Sequence, residues 1–324
     1  MSFKDILGHP KPVSILQNAL RHDRLAHAYL FHGMDGIGKR TLALTFAKAL
    51  NCRQAAFDSC DSCLSCLKTD HRNHPDVETV EADGAFIRID AVKGLQERMK
   101  FKPMEGRKRI ALILDADRLN NAAANALLKT LEEPSASNIL ILVTARPYSL
   151  PLTILSRCQQ IRFNPLPQEI VLTLLAERSS LEESHARLLS AASSGSIGKA
   201  LELNRESFLV LKEECLDYLS RMQQDEPLQH LSFLRFLIDD RKDIQDKLDF
   251  LKTFFRDLLI FKETGRGDGL MHRDRLDLIA ALSERRTPAE ILMNVQAIEE
   301  AIHQLEQNAN KSLTLEVMMF RLSI

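Results

Sequence analysis

The chain has 324 residues, 45% of them hydrophobic and 27% charged, the balance of an ordinary folded protein of two or three domains. Its 43 Lys+Arg against 44 Asp+Glu exclude a strongly basic nucleic-acid coat and an acidic disordered tail. No run approaches the roughly 18 apolar residues of a membrane span, and the opening MSFKDILGHP has no secretory h-region, so a cytoplasmic protein with no membrane partner is expected.

Short apolar runs alternate with helical segments up to about residue 163. Tyr29–His32 (YLFH) is the first predicted strand and leads into a Gly-rich stretch and a helix, TLALTFAKAL. Val77–Val80 (VETV) is a second short run. Asp90 is placed to cap a helix over AVKGLQERM. Ile110–Leu114 (IALIL) and Ile139–Thr144 (ILILVT) are continuous apolar runs, as expected of strands buried on both faces. Between them Ala122–Leu131 has helical spacing and should stop at Pro134. Gln160–Phe163 (QIRF) is the fifth run. Strand–helix alternation of this kind predicts a mostly parallel sheet covered by helices. After Asn164-Pro165-Leu166-Pro167 the strand signal stops. LSFLRFLI, LDFLKTFFRDLLIF and VQAIEEAIHQLEQNA repeat apolar residues at helical spacing, and Glu263–Gly269 is expected as a flexible loop between helices. Charge divides along the same line: residues 1–163 carry 23 basic and 17 acidic side chains, and residues 164–324 carry 20 and 27. The division reads either as two differently solvated surfaces or as placing any anion or DNA surface on the first half.

Three features carry chemistry. Gly33-Met34-Asp35-Gly36-Ile37-Gly38-Lys39-Arg40-Thr41, after a strand and opening a helix, fits most of G-x-x-x-x-G-K-[ST]. In such a loop backbone N–H groups turn inward on phosphates and the lysine reaches the β/γ-phosphates, so ATP or ADP with Mg²⁺ is the candidate ligand. The hydroxyl that usually holds the metal is displaced: Arg40 occupies its position and Thr41 follows. The acidic partner is expected after IALIL, at Asp115 or Asp117. Asp115 is followed by Ala116 instead of a second acid, so hydrolysis by the chain itself should be weak or absent.

The second feature is Cys52, Cys60, Cys63 and Cys66, which point to a closed tetrahedral Zn²⁺ site of structural character, with an iron–sulfur cluster as the alternative. His71 and His74 lie near enough to substitute, while Cys158 and Cys215 read as buried small hydrophobes. The third is the basic segment Lys100, Lys102, Arg107, Lys108 and Arg109, either a contact for backbone phosphates or a solvated loop before a strand.

LAHAYLFHG before the phosphate loop, the four-Cys insertion after its helix, NHPD at Asn73–Asp76, NALLKTLEEP at Asn125–Pro134, LSRC at Leu155–Cys158 and, more weakly, GSIGKAL at Gly195–Leu201 together resemble the clamp-loader subunits of bacterial DNA polymerase III, AAA+ class. The resemblance implies an α/β P-loop domain over residues 1–164, with a five-stranded parallel sheet and an inserted zinc module at about 51–70. It further implies a three-helix lid over 165–205 and an all-α collar over 206–324 that joins a pentameric ring. It implies that Arg157 acts in trans on a neighbouring subunit's ATP site, and that Thr144 occupies a polar sensor position, against the plainer reading of a satisfied strand-end threonine. The family's Asp-Glu pair falls on Leu114–Asp115 or Asp115–Ala116 and is broken either way, and its lid arginine falls near Gly198, beside Lys199. These departures resemble a stator subunit more than the motor. The implied partners are the motor and delta subunits, the sliding clamp indirectly, and primed DNA through the complex. DNA-directed DNA polymerase activity would belong to the chain only through that complex. The competing functions are a self-sufficient P-loop ATPase such as the motor subunit and a zinc-dependent DNA-binding module.

Overall fold

The computed structural model describes residues 1–178, 181, 183–204, 206–221, 227–238, 244–267, 269–306 and 309–322. The chain divides into two compact units, Met1–Arg178 with Ser194–Lys199, and Ser179–Ser193 with Ala200–Ile324.

The first unit is built on five parallel strands, β1 (Ala28–His32), β2 (Val77–Val80), β3 (Arg109–Ile113), β4 (Asn138–Thr144) and β5 (Gln159–Arg162), in the order β2-β3-β4-β1-β5. Each lies within one residue of its predicted run. The apolar runs are continuous because both faces are covered. Tyr29, Phe31, Ile110, Leu112, Ile139, Ile141 and Val143 enter one core, and Leu30, Ala111, Ile113, Leu140 and Leu142 enter the other. Each such fully buried side chain of Leu or Ile size contributes about 1.5–3 kcal/mol. Helices α1 (Pro10–Arg21) and α2 (Lys39–Asn51) place Leu16, Leu42 and Phe46 in the first core. The short α3 (Leu64–Asp70) follows α2 in the chain. Helices α4 (Ile89–Met99), α5 (Asn121–Glu132) and α6 (Leu152–Leu155) place Val92, Leu95, Leu127 and Ile154 in the second core.

The helix ends mostly follow local chemistry. The Asn120 side chain accepts from Ala123 N at 2.8 Å to cap α5, which stops two residues before Pro134. The expectation for Asp90 is corrected: the N-cap of α4 is Arg88, and Asp90 lies in the first turn. Ile87 is held extended by its N–H to Arg118 O and its carbonyl to Asn120 N, so the helix begins two residues earlier than the cap chemistry suggested. Asp90 still complements the helix dipole there.

The loop into β3 is anchored by a buried ion pair. Asp76 Oδ1 and Oδ2 accept from the backbone N–H groups of Met104, Glu105 and Gly106 at 2.7–2.8 Å and from Arg109 Nη2 at 3.0 Å. Burial pushes the Asp76 carboxyl up, but those N–H donors and the guanidinium more than offset it and hold it below the usual value. Asp76→Ala leaves Arg109 buried without its counter-charge and should cost about 3–5 kcal/mol, read as a lower urea midpoint. The contribution is complete above the unfolded carboxyl value of about pH 4 and is lost as pH falls through the depressed folded value. The wild-type chain should therefore lose stability below about pH 4 more steeply than the variant.

The second unit is helical among the described residues, with α10 (Glu206–Arg221), α11 (Pro227–Ile238), α12 (Ile244–Thr264), α13 (Leu276–Glu284), α14 (Pro288–Glu306) and α15 (Lys311–Arg321). Helices α7 (Gln168–Arg178), α8 (Glu183–Ala192) and α9 (Ile197–Leu203) precede them in the chain. Phe233, Phe250, Phe254, Phe255, Ile298 and Leu315 form the centre of one core, and the aromatic-rich run of α12 supplies three of them. The loop expected over Glu263–Gly269 begins at Gly265, since α12 continues through Thr264, and Asp268 lies outside the described residues. Among the described residues no helix is long and apolar enough to cross a membrane.

Candidate phosphate loop, thiol cluster and trans-acting arginine

The Gly33–Thr41 loop leaves the C-terminal end of β1, between β4 and β5 in the sheet. Gly38 is the N-cap of α2 in the left-handed region, and Gly36 also has a positive φ of 71°. Lys39 turns back over its own loop: its Nζ donates to Gly33 O at 2.6 Å and Met34 O at 2.7 Å, and lies 3.5 Å from Asp35 Oδ1. Burial lowers the Lys39 pKa, with Asp35 and then Asp117 and Asp115 partly restoring it. The ammonium is thus largely desolvated and held by two backbone carbonyls and the Asp35 carboxylate. Arg40 reaches across the sheet edge to pair with Glu81, just beyond β2. Thr41 lies in the first turn of α2, half-buried.

On the acidic side the structure separates the two candidate aspartates. Asp115 follows β3 in the left-handed region (φ 50°), and both neighbours, Leu114 and Ala116, are buried apolar residues. Asp117 is the acid that engages the buried strand-end threonine: Thr144 Oγ1 donates to Asp117 Oδ1 at 2.6 Å and accepts from Arg146 N at 3.0 Å. The spacing of IALILDAD offered both aspartates, and only the tertiary placement of Thr144 separates them.

Two residues near the loop were not singled out as contacts from sequence. Ser196 Oγ donates to Asp35 O at 2.7 Å, and Gly198 N donates to Gly36 O at 2.9 Å. A Cβ on Gly198 would lie 2.7 Å from Gly36 Cα, so in this arrangement no side chain, least of all the family's arginine, fits at that position. The only sequence trace is the small-residue run Ser193–Gly198. His9 also braces the loop through a 2.6 Å contact between Nε2 and Ile37 O.

The four predicted thiols come together. Cys52 at the end of α2, Cys60, Cys63 at the N-cap of α3 and Cys66 within α3 have all Sγ atoms within 4.8 Å of one another. None of them is in a disulfide. A tetrahedral zinc with Zn–S of about 2.3 Å needs sulfurs about 3.8 Å apart, so the donor set and its spacing are compatible with a structural zinc. Cys52 Sγ accepts from Ala55 N and Cys60 Sγ from Cys63 N, both at 3.3 Å, as suits thiolates. Hydrogen bonding from Ser62 draws the Cys60 thiol down to about 6. His71 and His74 stay out of the cluster. His74 is engaged elsewhere, Nε2 with Ser65 Oγ and Nδ1 with Asp76 N, each at 3.0 Å. Lys48, buried, joins Asp61 and Asp70 beneath the module, and burial works against its charge while the two carboxylates raise its pKa overall. Cys158 and Cys215 are buried, and burial pushes the Cys158 thiol up to about 12.

Arg157 follows α6 on the surface. Its Nη1 donates to Thr153 O at 3.0 Å and its Nη2 to Glu132 Oε1 at 2.9 Å. The basic segment is thinner than its sequence suggests. Arg109 is withdrawn into the Asp76 pair, Lys100 pairs with Glu97, and Lys108 Nζ donates to Ala136 O. Lys102 and Arg107 complete the set.

A family model described as DNA polymerase III, delta subunit, matches residues 8–167, and one described as DNA polymerase III, delta subunit, C terminal, matches residues 207–323. The DNA polymerase III subunit delta' of Bacillus subtilis is 31% identical over 322 residues, covering 97% of this chain and 95% of that protein. The tau subunit of the same organism is 30% identical over 326 residues, covering 93% of this chain but 58% of its own length. A solved gamma-subunit-related protein of Thermotoga maritima aligns over 94% of this chain and 97% of its own at 18% identity and a TM-score of 0.41, a likeness too loose to bear on the assignment.

Proposed function

Because the chain belongs to the DNA polymerase III delta-prime subunit family, we propose that it serves as the stator of the clamp loader, the ring that places the sliding clamp on primed DNA. Its partners are then the motor and delta subunits in a pentameric ring, with clamp and DNA reached through that assembly, in the cytoplasm. Polymerase activity belongs to the holoenzyme it joins. Residues 1–164, 165–205 and 206–324 act as P-loop domain, lid and collar.

The observation that carries the stator reading is the acid pair. Asp115 stands between the buried Leu114 and Ala116, so the carboxylate that should be its immediate chain neighbour and activate water is missing. The cradle itself is retained. Gly33, Gly36, Gly38 and Lys39 would hold the phosphates of ATP or ADP. Thr41, Asp115, Asp117 and Thr144 are the groups that would meet a Mg²⁺ or the terminal phosphate. Arg40, turned to Glu81, supplies no metal ligand. Mg²⁺ would supply charge neutralisation when bound, and with Arg40 in place of the usual hydroxyl it would be weakly held. Zinc on Cys52, Cys60, Cys63 and Cys66 serves structure alone. Arg157 is then the residue that acts on chemistry, in trans, by placing a guanidinium against charge that develops on the neighbour's γ-phosphate.

The isolated chain should therefore turn over no ATP above background. Its affinity for nucleotide should depend little on Mg²⁺. Steady turnover by the purified chain that disappears with Lys39→Ala would overturn the stator reading in favour of a self-sufficient ATPase. Tight, salt-sensitive DNA binding without partners would favour the DNA-binding module instead.

A further inference from the structure

We infer that Glu132 is a positioning residue for Arg157, orienting the guanidinium before it meets an anionic phosphate on a neighbouring subunit. The inference rests on Arg157 acting in trans and adds a second residue to that role. Glu132 is the last residue of α5 and is followed by Glu133. Two carboxylates at a helix C-terminus oppose the helix dipole, so local helix chemistry disfavours them there. A residue that breaks a local rule calls for a tertiary reason. For Glu132 that reason on the surface of the fold is Arg157, 25 residues on, whose Nη2 it accepts at 2.9 Å.

The pair is poorly placed to hold the fold together. Arg157 and Glu132 side chains are 36% and 52% exposed, and pairs this exposed are worth little in stability. The geometry instead suits orientation. Glu132 uses one oxygen on one terminal nitrogen, and Thr153 O takes the other terminal nitrogen at 3.0 Å. Of the five N–H donors of a guanidinium, three are left: Nε–H and one on each terminal nitrogen. A bidentate fork would have consumed a whole edge. This arrangement fixes the plane of the group and leaves donors for a phosphate, so less rotamer freedom is lost when the anion arrives.

The test uses the reconstituted multi-subunit assembly and compares wild type, Glu132→Gln, Arg157→Ala and the double variant in steady-state ATP hydrolysis. Glu132→Gln should lower kcat about three- to fivefold with KM for ATP unchanged, because ground-state binding is made by the neighbour's own loop. The double variant should match Arg157→Ala alone, since Glu132 acts only through the arginine. Unchanged or raised turnover in Glu132→Gln, alongside a loss in Arg157→Ala, overturns the positioning role and leaves the trans-acting arginine intact. Additive losses in the double variant also overturn it, because they mark a structural effect. Unchanged turnover in Arg157→Ala removes both.

Discussion

In the reconstituted assembly, Arg157→Ala should lower hydrolysis at the site it serves by about 10³-fold or more, the scale of a lost arginine finger, while the assembly still forms. The two halves of this expectation come from different magnitudes. A guanidinium aimed at a transferring phosphoryl group acts on charge that exists only in the transition state, so its removal falls on kcat. The same side chain contributes little to its own fold. Its ion pair with Glu132 is exposed on both partners, and such pairs are worth about 0–1 kcal/mol. Cys158, next in sequence, is buried and serves the core instead. Single-turnover hydrolysis with the ring intact by size-exclusion chromatography is the decisive measurement. Normal hydrolysis in an intact ring would take Arg157 out of the mechanism.

The second large effect is on the thiol cluster. Metal analysis of reduced protein should find about one zinc per chain, and Cys66→Ser should lose it. The packing explains why the loss is severe. The only buried neighbours of Cys52, Cys63 and Cys66 in their own cluster are one another, with Ala55 and Cys60 packed alongside. Apart from these thiols and Ala55 the cluster holds no apolar side chain, so a bound ion would serve as its core. Structural zinc sites bind with about 10–16 kcal/mol in isolated fingers, and much of that is folding free energy. Here the sheet cores persist, but the Lys48 pairs with Asp61 and Asp70 and the Lys68 pair with Glu105 lose their framework. The expected readouts are rapid proteolysis within residues 53–70 and a fall in Tm of about 5–10 °C, corresponding to roughly 2–4 kcal/mol at this size. Iron in the purified protein, or an unchanged melting curve in the variant, would contradict the assignment.

Much of this molecule was legible as a string. The three central strands β1, β3 and β4 appear at their predicted runs because a strand covered on both faces is apolar almost throughout, whereas the edge strands β2 and β5 are shorter and more polar and were read from their place between helical segments. The phosphate loop and the thiol cluster were legible because their spacing is local: three glycines and a lysine within seven residues, and three cysteines on a three-residue repeat. Their fixed geometry follows from short chain segments with few alternatives. The start of α4 was misplaced because Ile87 bonds to Arg118 and Asn120, residues some thirty positions away. The basic segment was overcounted for the same kind of reason: Arg109 reads as a surface cation until Asp76 is seen beside it.

By itself the sequence determined the layered α/β unit, the helical remainder, the glycine loop that opens α2 and the convergence of four thiols, since each is written largely in near neighbours in the chain. Only the tertiary structure decided that Asp117 and not Asp115 receives Thr144, that Gly198 closes on Gly36, and that Glu132 receives Arg157. Those pairings join residues 25 to 162 positions apart, and their distances are set by how the sheet and helices pack, which no spacing rule along the chain can report.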